Sequence, residues 1–600
     1  MMEQRNLIAA ILLSIAIVLA FQFLVEGPQR ERARQQALQQ QAAQTPPGGV
    51  PAGPVAPAGP GTAPIAPAAP GAPAAAPTAA AAPSRAELLA ESPRVAIATP
   101  RLHGSIALKG ARLDDLTLVE YHETVDPKSP EIVLLTPPGM PDAYYAEFGW
   151  VGGSSGIKLP DASTIWRADG GALTPQTPMT LTWDNGQGLR FARTYSVDDA
   201  YMITVSERIE NAGSGSVTLF PYGLVSRAGD PPVSGYYLLF EGPFGVFEHT
   251  LKEVKYKDLQ KEPEEATTTG GWLGFTDKYW LVALIPDQKT EIRGRFSDNA
   301  ASGRNKYQTD FVATKGLVLE PGQAAEATSR LFAGAKEVNR LDAYESKLGI
   351  DRLSYAIDWG WFFFLTKPIF YLLDYINQVV GNFGIAILLL TVTIKLIFFP
   401  LANKSYRAMS KLKKLQPEML KIRDRWKDDR ERMNKEMMEL YKREKANPAS
   451  GCLPIFIQIP VFFALYKVLF VTIEMRHAPF FGWIRDLSAP DPTSVLNLFG
   501  LIPWDPRMPI NLFGLMQFTI PSLLSIGAWP LIMGLTMWLQ QKLNPQPADP
   551  VQAKMFMILP IVFTFMLAQF SSGLVIYWAW NNCLSVLQQW VIMRRAGVKP

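Results

Sequence analysis

Lys395 is the residue whose type and setting most constrain its chemistry. It lies inside the apolar run Asn382 to Pro400, five residues before Pro400. In a helix that is about 8 Å from the end of the run. An ammonium facing lipid at a helix centre costs on the order of 2.5–3.5 kcal/mol. Two arrangements relieve this. The side chain can snorkel to the nearer interface, or it can face a water-filled cavity within a helical bundle. Thr391, one turn earlier on the same face, is also polar. Gln458 in a second apolar run, and Asn581, Asn582, Gln588 and Gln589 in a third, add further polar groups. Lys467, near the opposite end of its run, is expected to snorkel.

Catalytic patterns are missing around these residues. There is no phosphate-binding Gly-x-x-x-x-Gly-Lys. Gly152-Gly153-Ser154-Ser155-Gly156 formally matches Gly-x-Ser-x-Gly, without an evident strand-turn-helix context. The four histidines, His103, His122, His249 and His477, have no metal-ligand spacing. The two cysteines, Cys452 and Cys583, sit in apolar stretches and are expected to be small buried residues. The expectation is a protein that is not an enzyme, with no cofactor, no metal and no small-molecule substrate, acting passively or driven by a partner.

The elements that must position Lys395 follow from hydropathy. Leu7 to Val25 is long enough to span hydrocarbon, and 1–26 reads as an uncleaved anchor, with a cleaved signal peptide as the alternative. Residues 27–94 form a linker whose Pro/Ala/Gly-rich part, 45–83, cannot bury much apolar surface. Residues 95–348 read as a β-sandwich. Strand-like segments such as Leu116 to Tyr121, Met179 to Trp183, Tyr201 to Ile209 and Val217 to Pro221 alternate with turn signals, and a helix near Lys336 to Lys347 closes the domain.

Residues 349–381 suit a helix lying in the membrane interface. Spans are expected at 382–400, 451–473, 525–541, 555–570 and 573–592, which makes six with the anchor. Between them lie a basic hairpin (401–450), an outer loop (474–524) and a short connection (542–554); a basic tail (593–600) ends the chain after the last span. The chain carries a formal charge of +4, yet Lys404 to Lys445 alone holds fifteen Lys or Arg against eight Asp or Glu. With Lys542, Lys554, Arg594, Arg595 and Lys599, this block places both termini and the hairpin in the cytoplasm and the β domain in the periplasm. Within the hairpin, Met409, Leu412, Leu415, Met419 and Ile422 recur at helical spacing, as do Met433, Met437, Leu440 and Tyr441. It is either a solvated hairpin or a docking surface. Charge alone does not choose among lipid headgroups, ribosomal RNA and a nascent chain.

Several stretches together resemble the YidC/Oxa/Alb insertases: Gly451-Cys452-Leu453-Pro454, Gln458-Ile459-Pro460-Val461-Phe462, Asp486-Leu487-Ser488-Ala489 and Ser572-Gly573-Leu574-Val575-Ile576-Tyr577-Trp578. The likeness covers about residues 350–595, and the anchor and large β domain further resemble the Gram-negative form. The resemblance implies a five-helix insertase core and a periplasmic β-supersandwich. It also implies a hydrophilic groove open to the cytoplasm and to lipid, with a cation in the first core span. Lys395 occupies that position where arginine is commonest, keeping the charge without the planar fork of donors. Thr391 matches a polar groove position, and Gln458, Asn581 and Gln588 are taken as further polar lining. Ile459, Phe462, Tyr577 and Trp578 match positions that touch the substrate's apolar segment. Implied partners are nascent membrane proteins, the Sec translocon, membrane lipids and, weakly given the short tail, the ribosome or the signal recognition pathway. Implied function is insertion and folding of inner-membrane proteins. The rivals are a small-solute transporter or channel, which calls for paired intramembrane charges or inverted repeats, and an anchored interaction scaffold.

Overall fold

The computed structural model describes residues 83–153, 156–231, 239–299, 304–426, 429–444, 453–502, 510–512, 516–518, 525–544 and 550–595. The expected anchor, nearly all of the linker, Ser154, Ser155, Cys452 and the end of the tail lie outside them. The chain divides into two compact units. Of the smaller (1–62 and 546–558), only 550–558, the start of a helix, is described. All other described residues belong to the larger.

Two antiparallel sheets form its first half. One, of ten strands, runs in the order Arg94–Ala98, Leu102–Ala107, Arg112–His122, Tyr144–Gly152, Val217–Ala228, Lys306–Ala313, Glu291–Asp298 and Glu264–Thr269, with two further strands paired off this path. The other, of nine, runs Thr250–Glu253, Gly242–Phe247, Trp272–Thr276, Trp280–Ile285, Ala324–Ala335, Met202–Asn211, Leu189–Val197, Met179–Asp184 and Arg167–Asp169. Their faces meet through ring pairs. Tyr144 of the first lies edge-on to Phe275 of the second at 6.0 Å, and Phe247 of the second meets Phe296 of the first at 5.8 Å.

Alternation decides which residues face inward. In Leu189–Val197 the buried positions are Leu189, Phe191, Arg193, Tyr195 and Val197. The inward arginine is compensated. Its Nε and Nη2 both donate to Glu207 Oε1, at 2.9 and 2.7 Å, and Nη2 also donates to the Phe148 carbonyl of the opposite sheet. Its guanidinium lies 4.9 Å from the Trp166 ring. This buried pair bridges the sheets.

The helices are α1 (Arg85–Ala90), α2 (Tyr256–Leu259), α3 (Val338–Leu348), α4 (Phe363–Val380), α5 (Phe383–Ile397), α6 (Phe399–Arg425), α7 (Arg430–Arg443), α8 (Leu453–Val471), α9 (Ala528–Leu543), α10 (Pro550–Leu567) and α11 (Ser572–Arg595). Asn382 caps α5 by accepting from the Ile385 N–H at 3.0 Å. Gly534 of α9 has no Cβ to collide with Thr564 of α10, whose Oγ1 would lie 2.0 Å from it, so these helices approach closely.

Three expectations need correction. The run 382–400 is not one continuous helix: α5 ends at Ile397 and α6 leaves at 69°. Pro400 has no N–H for the Leu396 carbonyl, and its ring crowds that group. Lys467 does not snorkel: it is buried and pairs with Asp358 Oδ2 at 2.6 Å. Its stem packs on Gly360, where a Cβ would lie 3.0 Å from Lys467 Cε. Cys583 is exposed on α11 rather than buried, because the buried face of that helix is filled by Asn581, Asn582 and Ser585. Among the described residues, no single helix is long and apolar enough to cross a membrane; α5 and α6, bent by 69°, reach that length and composition only when taken together.

The β domain is tied to the helices by polar contacts. Asn339 of α3 donates to Asp374 of α4 at 3.0 Å, and Asp342 of α3 receives Lys367 at 3.4 Å and the Tyr371 hydroxyl. Glu474, just past α8, accepts the Val338 N–H at the start of α3 at 3.0 Å, while its Oε2 is buried without a partner. Burial, aided by Glu337 and Asp374, pushes the Glu474 carboxyl up to about 7.

Arg193→Ala should destabilise the protein by about 3–5 kcal/mol, since Glu207 is left as an unpaired buried charge. Replacing both partners by Met and Leu should cost much less, as thermal unfolding of the purified protein will register. The raised Glu474 pKa means the folded state keeps a proton the unfolded chain releases. Its stabilising share is therefore full below about pH 4.5 and is lost as pH rises through about 7. Glu474→Gln keeps the acceptor but not the titration, so the fall in melting temperature between pH 5 and pH 8 should be smaller than in the parent.

Candidate substrate groove

Four helices converge around Lys395. Thr391, Ile394 and Lys395 of α5, Tyr406 of α6, Gln458 and Val461 of α8, and Tyr577, Asn581 and Gln588 of α11 line a cavity of about 60 Å³. Liquid water occupies about 30 Å³ per molecule, so the space suits one or two waters. The Lys395 ammonium donates to the Ser585 hydroxyl at 2.6 Å, which in turn donates to the Asn581 carbonyl at 2.7 Å. No carboxylate is among the described residues lining the cavity. The charge is thus held by hydroxyl and amide dipoles, without a formal counter-ion. Thr391 is 1% exposed and donates to the Ile387 carbonyl of its own helix at 2.6 Å. The Trp580 indole N–H donates to the Leu388 carbonyl at 3.2 Å and fixes α11 against α5.

The polar residues of α11 separate into two rows. Asn581, Ser585 and Gln588, at steps of four and three, face the Lys395 side. Asn582 and Gln589 face α9: Asn582 donates to the Thr536 hydroxyl at 3.3 Å, and Gln589 donates to the Leu543 carbonyl and to Asn544 Oδ1, each at 3.1 Å. Of the four apolar-contact candidates, Tyr577 is buried beside the cavity. Phe462 and Trp578 stack at 4.4 Å and 19°. Ile459 is exposed and does not line the cavity. The sequence reading missed Ser585, the hydrogen-bond partner of Lys395, and Tyr406, which enters from α6 after the bend. Its only signal was the Asn581-Ser585-Gln588 spacing.

Two short motifs brace the starts of α11 and α9. The Ser572 N–H and hydroxyl both donate to the Ala489 carbonyl, at 2.7 and 2.8 Å, and the Gly573 N–H donates to the Leu487 carbonyl at 2.9 Å. Asp486-Leu487-Ser488-Ala489 therefore receives the start of α11, satisfying N–H groups that no helical carbonyl reaches. Asp491 does the same for α9, accepting the Trp529 N–H at 2.8 Å, while Thr493 Oγ1 accepts the Ala528 N–H at 3.0 Å.

Comparison with known proteins gives two family matches, the YidC periplasmic domain over residues 94–372 and the 60Kd inner membrane protein over residues 375–599. A membrane protein insertase YidC from Methylobacterium radiotolerans is 54% identical, the alignment covering 100% of this chain and 96% of that protein. Its counterpart from Bradyrhizobium diazoefficiens is 51% identical, with 100% and 97% covered. A crystal structure of an active YidC insertase aligns with 82% of this chain and 91% of its own, at 17% identity and a TM-score of 0.34. That score is too low to carry weight, and the assignment rests on the family matches and the full-length relatives. The chain belongs to the YidC family of membrane protein insertases.

Proposed function

We propose that this chain integrates and folds membrane proteins of the bacterial inner membrane, by lowering the barrier to moving a polar segment into the bilayer. The observation that carries the mechanism is Lys395, a cation in an apolar helix, held by Ser585 in a polar cavity with no carboxylate among the described residues that line it. Lysine has three N–H donors, and Ser585 takes one. An acidic residue of an entering chain supplies the missing counter-charge where the dielectric is low and attraction strong. The apolar segment of the substrate then moves along Phe462, Tyr577 and Trp578 into lipid, where burial of its surface is favourable.

In this reading α5, α8, α9, α10 and α11, with the N-terminal anchor, make six spans. The α6–α7 hairpin and both termini are cytoplasmic, and the β domain is periplasmic, as the distribution of Lys and Arg supports. Nascent membrane proteins are the substrates. The Sec translocon is a partner for part of them, and contact with the ribosome or the signal recognition pathway is weak.

Lys395→Arg should retain insertion, because it keeps the charge. Lys395→Ala should lower insertion of substrates with acidic translocated segments by roughly fivefold or more, the factor given by about 1 kcal/mol of lost attraction. Depletion–complementation and insertion into liposomes both measure this, and equal insertion by the alanine variant would refute the role. Deleting most of 95–348 should impair growth less than deleting the hairpin 401–450; the reverse ranking would move the working part out of the helical core.

A further inference from the structure

Lys395 also borders a second and larger space. On the side of α5 away from α8, a cleft of about 660 Å³ lies between α5, α6 and α11. Five cations line it: Lys395 on α5, Arg407, Lys411 and Lys414 on α6, and Arg595 at the end of α11. The α6 cations stand at steps of four and three, so they share one face. The 69° bend at Phe398 turns that face away from the axis of α5 and over the cleft. No Asp or Glu is among the described lining residues. The deeper wall is apolar and open: Leu396 is 67% exposed and Leu587 57%. At the junction of this cleft with the small cavity, the Gln588 Nε2 is buried without a hydrogen-bond partner.

We propose that this cleft is a binding site for an anionic phospholipid of the cytoplasmic leaflet. The headgroup phosphate sits among Arg407, Lys411, Lys414 and Arg595, and the acyl chains lie along Leu396 and Leu587. Lys395, Arg407, Lys411 and Arg595 around one cleft repel one another, and a phosphate relieves that repulsion while accepting several charge-assisted hydrogen bonds. Each Lys or Arg near an anionic lipid surface adds about 1 kcal/mol of attraction. The apolar wall selects the kind of anion. A nucleic acid or a free phosphate leaves that wall against water, whereas an amphiphile covers wall and cations together. The inference requires only that the helices stand in a membrane, and it holds whether or not the small cavity receives substrate.

The test is native mass spectrometry of the full-length protein in detergent, titrated with phosphatidylglycerol, phosphatidylcholine or glycerol 3-phosphate. Phosphatidylglycerol should be retained in preference to phosphatidylcholine, and glycerol 3-phosphate should not displace it at equal concentration. The double variant Arg407→Gln/Lys411→Gln should weaken retention by about fivefold per charge removed. The swap Arg407→Lys/Lys411→Arg should restore it. Lys421→Gln/Arg425→Gln, which removes two charges farther along α6, should leave retention unchanged. Equal retention of the two lipids, equal loss in both Gln doubles, or displacement by glycerol 3-phosphate would each overturn the proposal. The insertion assay of Lys395→Ala reads the small cavity instead, so failure of one reading is distinguishable from failure of the other.

Discussion

A cation set in an apolar helix, with no formal counter-charge among the described residues, is the constraint around which the helical half is built. Desolvating an ammonium is expensive unless dipoles replace the lost water. Here the replacements come from α11: the Ser585 hydroxyl accepts from Lys395 and passes its own hydrogen to the Asn581 carbonyl. For that to hold, α11 must keep a fixed rotation and depth against α5. The Trp580 bond to the Leu388 carbonyl sets the rotation. The bonds from Ser572 and Gly573 to Ala489 and Leu487 set the depth. The loop that carries Asp486 to Ala489 thus acts on the far end of the helix that presents Ser585.

Lys395 and Lys467 make the contrast concrete. Both are lysines in apolar helices, but Lys467 has Asp358 at 2.6 Å. A paired, buried lysine is a structural joint, since removing either partner strands the other. It fastens the segment ahead of α4 to α8. Lys395 has only neutral partners among the described residues. The same side-chain type is paired with a carboxylate in one place and with a hydroxyl in the other. The β domain is joined to the helices by similar polar means, through Asp342, Asp374 and Glu474.

Much of this was legible in the sequence because it rests on local period. The strand-like segments Met179 to Trp183 and Tyr201 to Ile209 fall on the strands Met179–Asp184 and Met202–Asn211, and the apolar spacing of 409–422 and 433–441 identifies two helices. Lys395 stands out because a charge in an apolar run is rare. What was not legible depends on partners distant in the chain. Ser585 lies 190 residues from Lys395 and looks like any small residue in an apolar helix. Asp358 lies 109 residues from Lys467, in a segment with no periodic signal. Pro400 did carry information: its missing N–H places a break one turn earlier, which the apolar run concealed. The four polar residues at the end of α11 looked like one group. Helical geometry divides them, because adjacent residues stand 100° apart and point to different neighbours.

The break at Phe398 also accounts for the position of Lys395 itself. Were α5 and α6 one straight rod, the row Arg407, Lys411 and Lys414 would continue along the axis of α5, away from Lys395. Bending by 69° carries the row to the side, so that the cations of α6 and Lys395 border one cleft. The bend also lets Tyr406 turn toward the small cavity on the other side. One proline therefore defines two compartments that share Lys395. Of its three donors, one is taken by Ser585. A guanidinium, with five donors in a fixed plane, would commit its orientation to one set of partners. Lysine, a point charge on a flexible stem, leaves that choice open.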